Sequence, residues 1–263
     1  MNMNTNLKII IGCLMVICAA FIAVFLSVRN NRQRNNTTED TTIAKSDTAA
    51  IKRVHNLIIL DESGSMSGLE LVSVTGVNET IQTIREAYHD NPEQEQFLTM
   101  VTFSGQPVMR ITQHYNSLNI KEVEEMAISK FNPNGVTPLW DAMGNMCTRI
   151  EKETDVETLV LVTIITDGRE NASTEYNRES IKTLVDRLDQ AGWVFTYIGA
   201  NQDAVYEANS MGIRNALQYD SNEEGTKAMW NQERNSRKSF YSRTQTIKSR
   251  KQLKRGYFEE DNE

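Results

Sequence analysis

Cysteine is almost absent from this 263-residue chain, and the three that occur, Cys13, Cys18 and Cys147, cannot build a disulfide framework or a thiolate metal site. Cys13 and Cys18 stand in an apolar leader, where no partner in a folded domain reaches them. Cys147 falls inside a helical pattern, the usual setting of a small buried hydrophobe. Histidine is equally scarce. His55 opens a strand pattern, His89 ends a helical one and His114 follows a hairpin, so all three read as surface residues rather than general bases. No phosphate-cradling Gly-x-x-x-x-Gly-Lys loop and no Gly-x-Ser-x-Gly elbow occurs, which removes the commonest nucleotide-binding and serine-hydrolase readings. An excess of positive charge is missing too. The 28 Lys and Arg against 35 Asp and Glu leave a formal −7, the wrong sign for a dedicated binder of nucleic acid, and none is expected as a partner. That average conceals a segregation, because Arg234, Arg237, Lys238, Arg243, Lys248, Arg250, Lys251, Lys254 and Arg255 lie in one acid-free stretch. The body is acidic and its tail basic.

What is present supports a packed core: 39% hydrophobic and 24% charged residues, in a length that allows one principal folded unit with a leader and a tail. After an N-terminal tail of residues 1–8, residues 9–28 carry no charge and, as a helix rising about 1.5 Å per residue, would cross about 30 Å of hydrocarbon. The run is longer than a secretory h-region and no small-x-small cleavage site follows, so it reads as a single transmembrane helix, an inner-membrane anchor. Only Lys8 precedes it, whereas Arg29, Arg32 and Arg34 follow at once with Lys45, Lys52 and Arg53 behind them, which places the domain in the cytoplasm. Residues 29–52 are polar and read as a flexible linker.

From residue 53 short apolar runs alternate with amphipathic ones, the signature of strand and helix in a parallel sheet. Strands are expected at 56–61, 97–103, 108–112, 159–166, 194–199 and 216–219, and helices at 69–88, 121–130, 138–152, 178–191, 204–211 and 223–234. The run LVLVTIIT is apolar on both faces, as a central strand should be. The segment 97–112 reads as a hairpin turning at 104–107. The fold class is therefore α/β, doubly wound and mostly parallel, flanked by helices, with one antiparallel edge strand.

The chemistry gathers at strand ends. The first strand ends in Asp61-Glu62-Ser63-Gly64-Ser65, the central strand in Asp167-Gly168, and Thr137 precedes the helix begun by Pro138. In an open α/β sheet, side chains at the carboxyl ends of strands converge on one point. Gly64 lets the chain turn tightly enough to join them. Singly, the serines are helix caps, Thr137 an N-cap and Asp167-Gly168 a common turn. Jointly, Asp61, Ser63, Ser65, Thr137 and Asp167 form an all-oxygen set that suits a hard cation, Mg2+ or Mn2+, and offers neither imidazole nor thiolate.

This pattern resembles the metal-ion-dependent adhesion site of the von Willebrand factor A (vWA) family over about 53–234, and the phrases TPLWDA, TDG, YIGANQDA and MGI resemble its stand-alone bacterial members. The resemblance implies that Ser63 and Ser65 coordinate the cation directly, Thr137 directly or through water, and Asp61 and Asp167 mostly through water. It implies a protein partner offering an Asp or Glu, without catalysis. Gly64, Gly168, Glu62, Asp141 and Glu170 are expected around the bound ligand, the three acids making the mouth repel an anionic partner until the cation is in place. Glu62 departs from the family, which more often has a neutral residue there, and alternate-residue geometry points it away from Asp61. Two rival readings remain. A metal-dependent phosphatase would want a second Asp two residues after Asp61, and Ser63 stands there. The tail, 235–263, interleaves Phe240, Tyr241, Ile247 and Leu253 with its charges and either lies on anionic lipid or is solvated, its acidic end at Glu259, Glu260, Asp261 and Glu263 offsetting part of the charge.

Overall fold

In the computed structural model, which describes residues 51–105, 108–200, 203–247, 249–254 and 256–258, the two most apolar runs become neighbours at the centre of a sheet. Strands β1 (Arg53–Asp61) and β4 (Thr158–Thr166) pair in parallel, Leu60 opposite Ile165, and every residue of β4 is buried. β2 (Glu95–Gly105) runs parallel to β1 on its other side, and β3 (Met109–Asn119) returns antiparallel at the edge. β5 (Val194–Ala200) and β6 (Asn215–Tyr219) extend the sheet in parallel, giving the order β3-β2-β1-β4-β5-β6. Helices α1 (Glu70–Asp90), α2 (Leu139–Glu153), α3 (Arg178–Gln190), α4 (Ala204–Ser210) and α5 (Glu223–Thr246) make the connections and cover both faces. The period-two alternation of β1 separates two cores. Ile58 and Leu60 pack with Val77, Ile81, Trp230 and Phe240 of α1 and α5, while Leu57 and Ile59 pack with Met143, Cys147, Ile181 and Leu188 of α2 and α3. The expected doubly wound α/β sheet with one antiparallel edge is the fold. The span at 9–28 and the linker up to residue 50 lie outside the described residues, among which no helix is long and apolar enough to cross a membrane.

Three expectations about the elements need correction, besides that of a surface His55, which is buried in β1 with its Nε2 3.0 Å from Thr99 Oγ1 of β2. β3 is about twice its expected length, because as an edge strand it carries half-exposed polar residues rather than an apolar run. The helix expected over 121–130 does not form; two short 3-10 turns, Ile120–Glu122 and Ile128–Lys130, take its place. Buried Ile120, Val123 and Met126 mimic helical spacing, but the backbone here bonds to side chains of its neighbours: Asn78 holds Met126 at both N–H (2.8 Å) and C=O (3.0 Å), Arg85 donates to the Val123 carbonyl, and Tyr115 Oη donates to the Glu124 carbonyl at 2.8 Å.

The third correction concerns the basic tail. The fold does not stop near Arg234. Helix α5 continues to Thr246, and Phe240, Tyr241, Leu253 and Tyr257 join the first core. Arg237 is fully buried, with Nε donating to Glu233 Oε1 at 2.8 Å and its terminal nitrogens to Asn56 Oδ1 at 2.9 Å and Thr163 Oγ1 at 2.8 Å. Tyr257 Oη donates to the same Glu233 oxygen at 3.0 Å. The apolar residues assigned to a lipid-facing stripe are thus mostly internal, and Arg237 has its own acid one helical turn before it.

Candidate metal centre

Both aspartates sit where a parallel strand gives out. Asp61, at the end of β1, is fully buried; its Oδ1 accepts the Ser63 backbone N–H at 2.7 Å, and its Oδ2 accepts the Thr166 hydroxyl at 2.6 Å. Thr166, the last residue of β4, also accepts the Gly168 N–H at 3.2 Å, so one hydroxyl ties the two aspartate turns together. Ser63 Oγ lies 3.1 Å from Ser65 Oγ, and Ser65 donates to Asp167 Oδ1 at 2.5 Å. Ser221, just ahead of α5, donates to Asp167 Oδ2 at 3.2 Å. Thr137 is placed by a reciprocal pair of bonds: its N–H donates to Asn171 Oδ1 at 2.9 Å, and the Asn171 N–H donates to the Thr137 carbonyl at 3.2 Å. A Cβ added at Gly168 would lie 3.5 Å from Thr137 Oγ1 and 3.7 Å from Ser65 Oγ, so these hydroxyls face one point over that glycine. Gly64 donates its N–H to the Gly135 carbonyl at 3.0 Å, a close approach of the two loops. Asp61, Ser63, Thr137 and Asp167 are buried while Ser65 is exposed, so the cluster opens to solvent on the Ser65 side.

Burial pushes the Asp61 carboxyl up to about 6, against the bonds from Thr166 and Ser63 that pull it down, and the charge of Asp167 adds to the rise. Burial, with the fields of Asp167 and Asp61, also raises the Tyr219 phenol; its Oη is buried and has no hydrogen-bond partner among the described residues. An orphaned hydroxyl in the field of both carboxylates suits a hydrated cation. The spacing agrees. Ligand oxygens cis on an octahedral ion with bonds of about 2.1 Å lie about 3.0 Å apart, and the two serine oxygens stand at 3.1 Å. Among the described residues no three His, Cys, Asp or Glu side chains cluster into a site, so hydroxyls must supply much of any coordination here.

The three acids expected around the mouth, Glu62, Asp141 and Glu170, are each held by hydrogen bonds. Asp141 is buried, and its oxygens accept the N–H groups of Thr174, Glu175 and Tyr176 at 2.7–2.9 Å. Glu170 accepts the N–H groups of Trp140, Ala172 and Ser173 at 2.7–2.9 Å and the Ser173 hydroxyl at 2.6 Å. The physical reason is the first turn of α2 and the loop after Gly168, whose amides need acceptors. Glu62 turns away from Asp61 and is 2% exposed. Thr166, Asn171, Ser221 and Tyr219 escaped the sequence reading. Thr166 could have been found from its place beside Asp167 at a strand end; the other three act across long sequence separations that leave no local pattern.

The model of the von Willebrand factor type A domain matches residues 57–239. Similar folds occur in the pilus adhesin SpaC from Lactobacillus rhamnosus GG, 11% identical over 74% of this chain and 32% of that one with a TM-score of 0.53. They occur also in a von Willebrand factor type A protein from Catenulispora acidiphila, 12% identical over 71% and 43% with a TM-score of 0.51. Proximal thread matrix protein 1 from the mussel byssus is 16% identical over 70% and 46%, with a TM-score of 0.50. At such identities the likeness is one of fold, and this chain spans less than half the length of each of the three. No curated protein matches the sequence. With a family model covering most of the sheet, its helices and every proposed metal ligand, the chain belongs to the von Willebrand factor type A domain family.

Proposed function

We propose that this chain is a membrane-tethered, divalent-cation-dependent module that captures a protein partner through an acidic side chain and carries out no catalysis. The observation that supports it best is the convergence of the Ser63, Ser65 and Thr137 hydroxyls with the Asp61 and Asp167 carboxyls on a cluster open at Ser65. A bound Mg2+ or Mn2+ would supply an electrophilic position that accepts a carboxylate oxygen. Ser63, Ser65 and Thr137 would hold it as neutral donors, leaving its charge largely uncancelled. Asp61 and Asp167, fixed by Thr166 and Ser221, would orient its water ligands. No histidine serves the cluster: His55 bonds Thr99 and His114 bonds Thr102, each at 3.0 Å. The tether is the apolar run 9–28, and Arg29, Arg32 and Arg34 favour a cytoplasmic domain. Titration calorimetry of the detergent-solubilised chain with Mn2+ tests the reading. One site is expected, lost in Asp61→Ala while circular dichroism stays unchanged. Equal binding before and after that substitution refutes the assignment.

A further inference from the structure

The loop 131–137, which delivers Thr137, has almost no regular structure, so its backbone must find partners outside itself. Asn171 and Gly105 hold its Thr137 end, and the turn that follows β1 holds its middle. The Asn134 N–H donates to the Glu62 carbonyl at 2.9 Å, and the Asn132 N–H donates to Glu62 Oε1 at 2.6 Å. Glu62 therefore grips this loop with both its main chain and its side chain. Its other carboxyl oxygen, Oε2, accepts the Thr102 hydroxyl of β2 at 2.8 Å and the Arg110 guanidinium of β3 at 3.3 Å. The grip is thus braced against two strands. Glu62, Arg110, His114 and Asn132 line a cleft of about 620 Å³, so water can reach this brace without unfolding anything.

We propose that Glu62 is a positioning residue of the metal centre, whose carboxylate fixes Asn132 and thereby sets where the Thr137 hydroxyl stands relative to Ser63 and Ser65. The inference rests on the metal reading above. Glu62 lies between two proposed ligands yet contributes nothing to the cluster directly; its effect passes through five residues of loop. A carboxylate accepting an amide, a hydroxyl and a guanidinium makes charge-assisted bonds, stronger than a neutral acceptor would give. Truncation leaves the Asn132 N–H to water in the cleft, so the loop loosens while the core stays closed.

The test uses the full chain in detergent with Mn2+ as the probe, comparing Asp61→Ala, Glu62→Ala, Glu62→Gln, Thr137→Ala and the Glu62→Ala/Thr137→Ala pair. Glu62→Ala should weaken Mn2+ binding about tenfold, the effect of one lost charge-assisted bond, and speed amide exchange in 131–137 but not in β4. Glu62→Gln, which keeps an oxygen for the Asn132 N–H, should stay within about threefold of the parent. The pair should bind no more weakly than Thr137→Ala alone, because Glu62 acts only through that hydroxyl. Wild-type affinity in Glu62→Ala, or additive losses in the pair, overturns the proposal; if Asp61→Ala has meanwhile lost binding, the metal reading survives. Unchanged binding in Asp61→Ala instead sinks that reading itself. Should Glu62→Ala fail to fold, Glu62→Gln decides: near-parental affinity supports the positioning role, and a loss as large as that of Asp61→Ala refutes it.

Discussion

Replacing Arg237 by Met removes a cation from the centre of the first core and leaves its acid behind. Arg237 and Glu233 are both fully buried, 2.7 Å apart at their closest atoms, and the guanidinium also serves Asn56 and Thr163. Burial opposes its charge, and Glu233, with Tyr257 and Tyr241, more than reverses that effect, so the guanidinium stays charged. Met fills most of the volume, so the loss is electrostatic. Among the described residues Glu233 keeps the hydroxyls of Tyr257 at 3.0 Å and Thr80 at 3.3 Å. An uncompensated buried charge of this kind costs about 3–5 kcal/mol, a large share of the roughly 5–15 kcal/mol that holds a domain folded. Urea unfolding followed by the fluorescence of Trp230 and Trp193, both nearly buried, reads the change. Removing the acid as well, in Arg237→Met/Glu233→Leu, should recover most of the loss, because the penalty belongs to the unpaired charge and not to the missing bridge. A loss below about 1 kcal/mol for Arg237→Met, or a double variant as unstable as the sum of its single variants, refutes the reasoning.

Other consequences are as direct. Mn2+ at about 100 times its dissociation constant should stabilise the fold by about 2.7 kcal/mol, reversed by chelator and absent in Asp61→Ala. Burial depresses His55 to about 4, against the field of Glu153. Between that value and the ordinary 6.5 the unfolded chain takes up a proton that the folded chain refuses. Stability from His55 is therefore full above pH 6.5 and drains by up to about 3 kcal/mol as pH falls to 4, a slope that His55→Gln should flatten in unfolding curves. Gly76→Ala would place a Cβ 2.2 Å from the Trp230 ring, forcing α1 from α5 at a cost of about 1–3 kcal/mol in the same assay. Protease added outside intact cells should leave the domain uncut, and digestion would reverse the assigned orientation.

The centre was legible because its parts are local. Asp61, Ser63 and Ser65 follow one apolar run, Asp167 ends another, and sheet topology alone brings such ends together. What escaped depends on distant partners. Arg237 reads as solvated until Asn56 and Thr163 are seen beneath it, and a polar helix such as α5 hides part of its buried stripe where the otherwise apolar face it covers carries polar residues. Residues 120–131 misled for the opposite reason. Their apolar spacing is right for a helix, but Asn78 and Tyr115 hold their backbone in another shape. Asp141 and Glu170 read as charge at the mouth, whereas Glu170 answers an amide at the start of α2 and Asp141 those of the loop at 174–176.

The burial of Arg237 also sets an order of events during synthesis. Asn56, in the first strand, receives its bonds from Arg237 and Tyr241, which lie 181 and 185 residues further along the chain. At about 5–20 residues per second the ribosome needs on the order of 10–40 s to make the intervening chain. In the last part of that interval, once β4 has been made, β1 has both its neighbours but not its lid, and the first core stands open on the side that α5 will cover. Contacts of such long range slow folding and lengthen exposure to wrong partners, so a chaperone that shields this face until the last helix emerges would raise the yield of folded chain more than any that acts after release.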